Sequence, residues 1–392
     1  MIALRIAQLT IRRPNEYRQS LNKLLRPQGL SLLHTHAAAR STRLTQRAVL
    51  CFLIIALPLC LLLSVGVGLV PISFGETLRI LAHASGFPVA EPNAQQQIIL
   101  IDIRLPRALL AIVIGACLAV TGVAMQGLFR NPLADPTLIG VAGGASVGAA
   151  VAIVTGVTGT TVLLTEHGWS SGFELAAASF IGGLITTLLV YRIATTSFGT
   201  SVTTMLLAGI AISALALAFT NTLTYLNEDK YLRRISLWAM GNLSNANWNN
   251  LAVASTLIAT VVALLPSHSK ALNGFLLGEA EARSLGFNVE RIKLQLILLT
   301  ALGIGTAVAF AGLIGFVGLV VPHVMRLSIG PDHRLLIPCS ALSGALLLLI
   351  ADWLARLLAA PVEIPIGIVT ALVGAPFFIF LLIQQKYNET MR

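Results

Sequence analysis

The stretch "RLPRALLAIVIGACLAVTGVAMQGLF", residues 104–129, combines the two features from which the fold class follows. From Ala108 to Phe129 it carries no charged side chain, and about 20 mostly apolar residues suffice for a helix to cross the hydrocarbon core of a membrane. Two arginines, Arg104 and Arg107, precede this run and flank Pro106. Because arginine at a membrane boundary normally marks the cytoplasmic side, the side on which these two lie has to be established.

The composition of the whole chain indicates an integral membrane protein. Of the 392 residues 56% are hydrophobic and only 11% are charged, and the mean hydropathy is +0.85, whereas soluble domains carry roughly 25% charged residues. Period-2 alternation is absent, which argues against a β-barrel. The sequence also has no GxxxxGK[ST] or HExxH motif and almost no ionisable residues inside its apolar runs. These absences argue against a nucleotide site, an enzyme and an ion-coupled secondary transporter.

Ten apolar runs predict an all-α polytopic membrane protein with about ten transmembrane helices. The runs lie near residues 48–70, 108–127, 137–157, 173–195, 203–225, 250–266, 292–311, 313–329, 335–357 and 364–385. The stretch "GLIGFVGLVVPHV", residues 312–324, is rich in glycine and contains Pro322. We therefore expect one of the two helices between 292 and 329 to be short or broken.

The first 45 residues differ from the rest of the chain. They hold eight arginines and lysines against one acid, Glu16, and no apolar segment with a small-residue cleavage site follows directly. We interpret 1–45 as a basic cytoplasmic N-terminal tail and 46–388 as the transmembrane domain. We therefore attribute the net charge of +10 to cytoplasmic lysines and arginines near anionic lipid headgroups, and not to binding of nucleic acid.

The distribution of basic residues predicts the topology. With ten spans both termini share one side, and that side then carries 19 of the 26 lysines and arginines, so both termini are predicted to be cytoplasmic. Arg104, Arg107 and Arg356 fall on the outer side as exceptions. Arg356 follows Asp352 by four residues, which is compatible with a local ion pair or with a basic docking surface formed by the three arginines.

The largest inner loop is "SHSKALNGFLLGEAEARSLGFNVER", residues 267–291. Its mixture of apolar and charged residues favours two short helices, the second of which stops at Gly286. The loop is either a solvated connector or a surface that engages a cytosolic partner.

Several motifs together resemble one family. They include the RLPR stretch, "LWAMGNLS" (237–244), "LGEAEARSLGFNVER" (277–291) and "EIPIGIVTALVGAPFFIFLL" (363–382). Over residues 48–385 the chain resembles the FecCD-type permease subunit of binding-protein-dependent ABC importers for siderophores, haem and vitamin B12. The resemblance implies a type II importer permease fold and a homodimer in the bacterial inner membrane. It also implies two cytosolic ABC ATPase subunits and a periplasmic binding protein, with no enzymatic activity, cofactor or metal in this subunit.

The resemblance also implies roles for particular residues. The outer arginines match positions that receive acidic residues of the binding protein, which favours docking over a purely local pair: Arg104, Arg107 and Arg356. Five residues within 267–291 match the helices that couple to the ATPase: Glu279, Ala282, Arg283, Leu285 and Gly286. In "TTSFGTSVTT", residues 195–204, two hydroxyl residues match the cytoplasmic gate: Ser201 and Thr203.

The substrate is predicted from the resemblance alone. The stretch "MQGLFRNPLADPTLIGV", residues 125–141, with Phe129 foremost, is similar to haem permeases. Haem is therefore the first choice, ferric siderophores are the second and vitamin B12 is the third. An ion-coupled secondary transporter is the alternative from a different class. We also expect that reversing Arg104 and Arg107 to glutamate abolishes coupling to the binding protein and leaves the fold intact.

Overall fold

The computed structural model describes residues 28–68, 70–155, 172–197, 199–227, 229–359 and 361–390. The chain divides into two compact units, Met1–Ala48 and Val49–Arg392. Most of the predicted basic tail, residues 1–27, lies outside the described residues, and the first described helix begins within the remainder of that tail.

The described part of the chain is almost entirely helical. In chain order the helices are α1 Gln28–Gly66, α2 Phe74–Ala84, α3 Ala94–Leu128, α4 Val141–Val154, α5 Gly172–Ala194, α6 Val202–Tyr225, α7 Asp229–Ala239, α8 Trp248–Leu264, α9 Ser269–Phe275, α10 Glu279–Ser284, α11 Val289–Ala311, α12 Val317–Ile329, α13 His333–Leu357 and α14 Ile366–Thr390. Short 3-10 turns occupy Pro136–Ile139 and Leu265–His268. Two short antiparallel strands, β1 Thr195–Thr196 and β2 Gly199–Thr200, form a hairpin between α5 and α6.

The apolar helices confirm the all-α prediction. Among the described residues, seven helical segments are long and apolar enough to cross a membrane: Leu44–Gly66, Ala94–Leu128, Glu174–Ala194, Val202–Tyr225, Trp248–Phe275, Val289–Ala311 and His333–Leu357. Three shorter apolar helices, α4, α12 and the Ile366–Phe380 part of α14, coincide with the remaining apolar runs. The chain is thus a multi-pass membrane protein, and α12, with 13 residues and Pro322 inside it, is the predicted short helix.

The quoted stretch forms the centre of the bundle. In the most apolar 18-residue stretch of α3, 78% is buried inside the protein. The buried share of the corresponding stretches of α1 and α6 is 17%. α3 packs against α8, α11, α12 and α13. Because hydrocarbon solvates apolar side chains as well as a protein interior does, the poorly buried helices can leave theirs on the lipid-facing surface.

Two glycine contacts allow this central packing. A Cβ added to Gly122 of α3 would overlap the carbonyl oxygen of Gly318 in α12, and a Cβ added to Gly115 would overlap that of Gly344 in α13. Small residues at these crossings let the helix backbones approach closely, as they commonly do in membranes. Gly115 and Gly122 therefore have a packing role in the centre of the bundle.

Candidate functional site

Helix α13 separates the two groups of residues to which the sequence assigns functions. Near its first residue, the Asn273 side chain at the end of α9 donates to Asp332 Oδ1 at 2.7 Å, whereas Arg356 lies in its last turn. At 1.5 Å per residue these ends are about 35 Å apart, which exceeds the roughly 30 Å of a hydrocarbon core. The outer arginines and the segment around α9 and α10 therefore lie at opposite ends of the bundle.

At one end, five ionised residues form an arginine cluster: Arg104, Arg107, Asp352, Arg356 and Glu363. Arg107 lies in its middle, where Nε donates to Asp352 Oδ1 at 2.8 Å and Nη1 donates to Glu363 Oε2 at 2.8 Å. The Asp352 side chain is fully buried, and that of Glu363 is 37% exposed. Arg107 therefore connects a buried carboxylate to one that solvent can reach.

Arg356 shares the buried carboxylate. Its Nε lies 3.2 Å from Asp352 Oδ2, so the local ion pair that the spacing of four left open as an alternative is formed. Its Nη2 donates to the main-chain oxygen and the hydroxyl of Ser64, at 3.1 and 2.7 Å. Arg356 thus joins α13 to the last turn of α1.

Arg104 has no carboxylate partner in the described part of the chain. Its Nη1 donates to the carbonyl oxygens of Val65 and Gly66 at 3.0 and 2.9 Å, and its Nη2 donates to Val70 O at 2.6 Å. The last carbonyls of a helix lack intrahelical partners and carry partial negative charge, so Arg104 caps α1. The loop beyond α1 lies close over it, because a Cβ on Gly68 would be 2.6 Å from Arg104 Nη2.

Arg104 is the last residue of a π-helical turn. Residues Ile99–Arg104 form this turn inside α3, and the Leu105 N–H donates to Leu100 O. Pro106 follows this turn at the start of the regular α-helical part. The helix itself begins twelve residues earlier, at Ala94. Single π turns occur often at functional positions.

The cluster brings together all three arginines that the sequence singled out, and it buries them. Arg104, Arg107 and Arg356 are each only 7–8% exposed. Three guanidinium groups face two carboxylates, so the cluster carries one excess positive charge. The expectation that reversing Arg104 and Arg107 leaves the fold intact conflicts with this burial, since the new carboxylates would meet backbone carbonyls and Asp352. Docking by these arginines stays a prediction.

At the other end, an exposed surface is formed by Arg283 of α10 and by residues that flank this helix, Leu277, Leu285 and Gly286. We call it the coupling surface after the role that the resemblance predicts for this segment, and that role stays a prediction. Leu277 and Leu285 are 67% and 61% exposed, and Gly286 ends the helix with φ +88°. The two predicted short helices in 267–291 are confirmed as α9 and α10. Ala282 is fully buried, so it can pack α10 against the bundle but cannot touch a partner in this conformation.

The residues predicted as a gate lie at the start of α6. Ser201 caps this helix, where its Oγ accepts from the Thr204 N–H at 3.3 Å, and its own N–H donates to Ala194 O at 2.9 Å. Ser201 and Thr203 are both exposed. The β1–β2 hairpin precedes them, so they follow a tight connection between two spanning helices.

Comparison with known proteins identifies the family. The profile of the FecCD transport family matches residues 54–384. The chain belongs to the FecCD transport family. It is 44% identical over 349 residues to the hemin transport system permease protein HmuU of Yersinia pestis, covering 89% of this chain and 99% of that protein. It is 41% identical over 302 residues to the cobalamin import system permease protein BtuC of Halobacterium salinarum, covering 77% and 78%.

A solved structure supports the same fold. A metal-chelate type ABC transporter in an inward-facing conformation superimposes with a TM-score of 0.74 and 32% identity, covering 86% of this chain and 99% of that one. The helical architecture of this FecCD-family chain is therefore that of ABC importer permeases.

Sequence reasoning missed two residues of this FecCD-family chain. Lys293 was counted only among the basic residues of the cytoplasmic side, but its side chain is 3% exposed. Its spacing from the buried residues Leu296 and Thr300 places it on the inner face of α11, which is a periodicity that could have revealed it. Glu363 lies in a motif that carried the resemblance, and the sequence indicated no partner for it.

Proposed function

We propose that this FecCD-family chain is the permease subunit of a binding-protein-dependent ABC importer that moves haem across the bacterial inner membrane. The observation that carries the proposal is the 44% identity to a hemin permease along 99% of that protein's length. The chain does not change its substrate chemically, and ATP hydrolysis in two partner subunits drives transport. Cobalamin import is the second candidate, because a cobalamin permease is 41% identical over 302 residues. Ferric-siderophore import remains the third.

The positions of the arginine cluster and the coupling surface support this proposal. The arginine cluster and the coupling surface lie about 35 Å apart along α13, so one faces the periplasmic binding protein and the other the cytosolic ATPase subunits. Both termini lie on the cytoplasmic side. A second copy of the chain completes the translocation path, with Ser201 and Thr203 at its cytoplasmic gate. Gating is then a conformational change passed between the ends of packed helices.

Docking at the arginine cluster is proposed to proceed by exchange of carboxylates. Arg107 holds Asp352 in the interior and Glu363 at the surface, at 2.8 Å each. An acidic side chain of the binding protein replaces Glu363 at the outer nitrogen, while the inner pair stays in place. The excess positive charge of the cluster attracts such a partner, and the fork of the arginine side chain suits a carboxylate.

Changing Glu363 to glutamine tests this exchange. Glutamine keeps the shape and removes the competing charge, so the binding protein is expected to bind about tenfold more tightly at low salt. Affinity is measured on the complete transporter in nanodiscs. The matched control is Glu76→Gln, because Glu76 lies on α2 and pairs with Arg79 outside the cluster. Unchanged or weaker binding of the Glu363 variant, or an equal gain in the control, contradicts the exchange.

Reconstitution tests the function itself. The chain, its ATPase subunits and its binding protein are placed in proteoliposomes with hemin, cyanocobalamin or ferrichrome outside. Hemin is expected to enter only when ATP and both partners are present. Hemin uptake without the ATPase would overturn the importer proposal in favour of a secondary transporter. ATP-dependent uptake of cyanocobalamin or ferrichrome, but not of hemin, would overturn the substrate.

A further inference from the structure

Lys293 is a buried cation near the start of the spanning helix α11. Its Nζ donates to Thr200 O at 2.9 Å and to Glu279 Oε2 at 2.8 Å, and lies 3.4 Å from Glu290 Oε1. Ionisable groups buried in membrane helices are expensive, and they usually mark functional positions. The three contacts of this one ammonium reach β2, α10 and α11.

Glu290 also binds the main chain of Thr200, at its N–H group. Its Oε2 accepts from the Thr200 N–H at 2.8 Å, so both main-chain groups of Thr200 are held by charged side chains. The backbone passes close to this carboxylate at Gly199, which has φ +119° and where a Cβ would lie 2.8 Å from Glu290 Oε1. Glu290 also pairs with Arg283 of α10 at 3.4 Å.

These contacts connect two segments that are distant in sequence. Thr200 is 93 positions from Lys293, and the next residue, Ser201, caps α6. Glu279 is the first residue of α10, a helix of only six residues. A displacement of α10 therefore reaches the first turn of α6 through side chains and not along the chain.

We propose that Glu279, Glu290 and Lys293 form a charge link that transmits movement of α10 to the β1–β2 hairpin and the first turn of α6. This inference rests on the proposed function, since it assigns to α10 the partner that moves it and to α6 the gate that it moves. Lys293 is the positioning residue of the charge link. Separating its ammonium from Glu279 would remove the shortest carboxylate contact of a buried charge, which is unfavourable, so the segments move together.

Changing Lys293 to methionine tests the charge link. Methionine fills a similar volume without the charge, and the coupling surface stays unchanged. In the reconstituted importer we expect hemin uptake per ATP hydrolysed to fall about tenfold, while binding of the ATPase subunits and their rate of hydrolysis remain. Lys293→Arg keeps the charge and is expected to retain most of the coupling. Arg291→Met is the matched control, because it removes an exposed cation two residues away on the same helix.

The outcomes separate the charge link from the proposed function. If the unmodified protein shows no ATP-dependent uptake, the proposed function fails. If it transports and the Lys293→Met variant keeps the same uptake per ATP, the charge link is overturned. If Lys293→Met does not assemble, Glu290, which is partly exposed and is not among the residues matched to the ATPase contact, is changed to glutamine, and that variant decides. An equal loss in the Arg291→Met control also overturns the charge link, because the effect would then be general.

Discussion

Arg107→Glu is expected to destabilise the folded protein by about 3–5 kcal/mol, because it replaces one of the two cations that pair with a fully buried carboxylate by a further carboxylate. The new side chain would lie between Asp352 and Glu363, to each of which Arg107 now donates at 2.8 Å. A total stability of about 5–15 kcal/mol is common for folded proteins, so the yield of monodisperse protein should fall sharply. The measurement is the temperature at which half of the detergent-solubilised protein loses its size-exclusion peak.

Two further variants isolate the buried pair. Arg79→Glu reverses a more exposed arginine that pairs with Glu76, and surface pairs of this kind contribute about 0–1 kcal/mol, so little change is expected. Combining Arg107→Gln with Asp352→Asn removes both charges of this pair and should recover part of the lost stability, although the buried Arg356 then loses its carboxylate. If Arg107→Glu were as stable as the unmodified protein, the attachment of α3 to α13 through Asp352 would be refuted.

The sequence was sufficient to predict where the arginines lie and not how they are held. Ten apolar runs and the count of basic residues placed Arg104, Arg107 and Arg356 at one end of the bundle, and the structure brings them there. Their burial depends on partners such as Val65 O and Gly66 O, which lie 39 and 38 positions from Arg104. No local pattern records such a contact, because any carbonyl at a helix end can accept from any arginine.

The burial of residues at the helix boundaries was not predicted for a related reason. Counting basic residues treats each one near a membrane boundary as exposed, and so the burial of Lys293 was missed. In a six-residue helix such as α10, periodicity is too short to decide which face is buried. The resemblance grouped Ala282 with Arg283 and Leu285, although it alone of the three is buried. The helices in the ten apolar runs were predictable because the apolar pattern of each run extends over many residues.

Leu285→Asp is expected to weaken binding of the ATPase subunits about thirtyfold, the loss typical of a central contact in a protein interface. Leu277 and Leu285 are 67% and 61% exposed, and both lie outside the apolar segments that can cross a membrane. Their exposure is therefore not explained by a place in a spanning segment, and exposed apolar residues outside such segments favour a partner contact. The fold should persist, because Leu285 has little burial to lose.

Binding of labelled ATPase subunits to the purified chain in nanodiscs measures this effect, with the thermal stability of each variant recorded in parallel. The matched control is Asn288→Asp, which adds the same charge at an exposed position three residues away and caps α11 equally well. If the control weakened binding as much as Leu285→Asp, repulsion and not the lost leucine would be responsible. Normal binding by the Leu285 variant would mean that the ATPase does not contact this end of α10, and the coupling surface would have to be sought elsewhere on the cytoplasmic face.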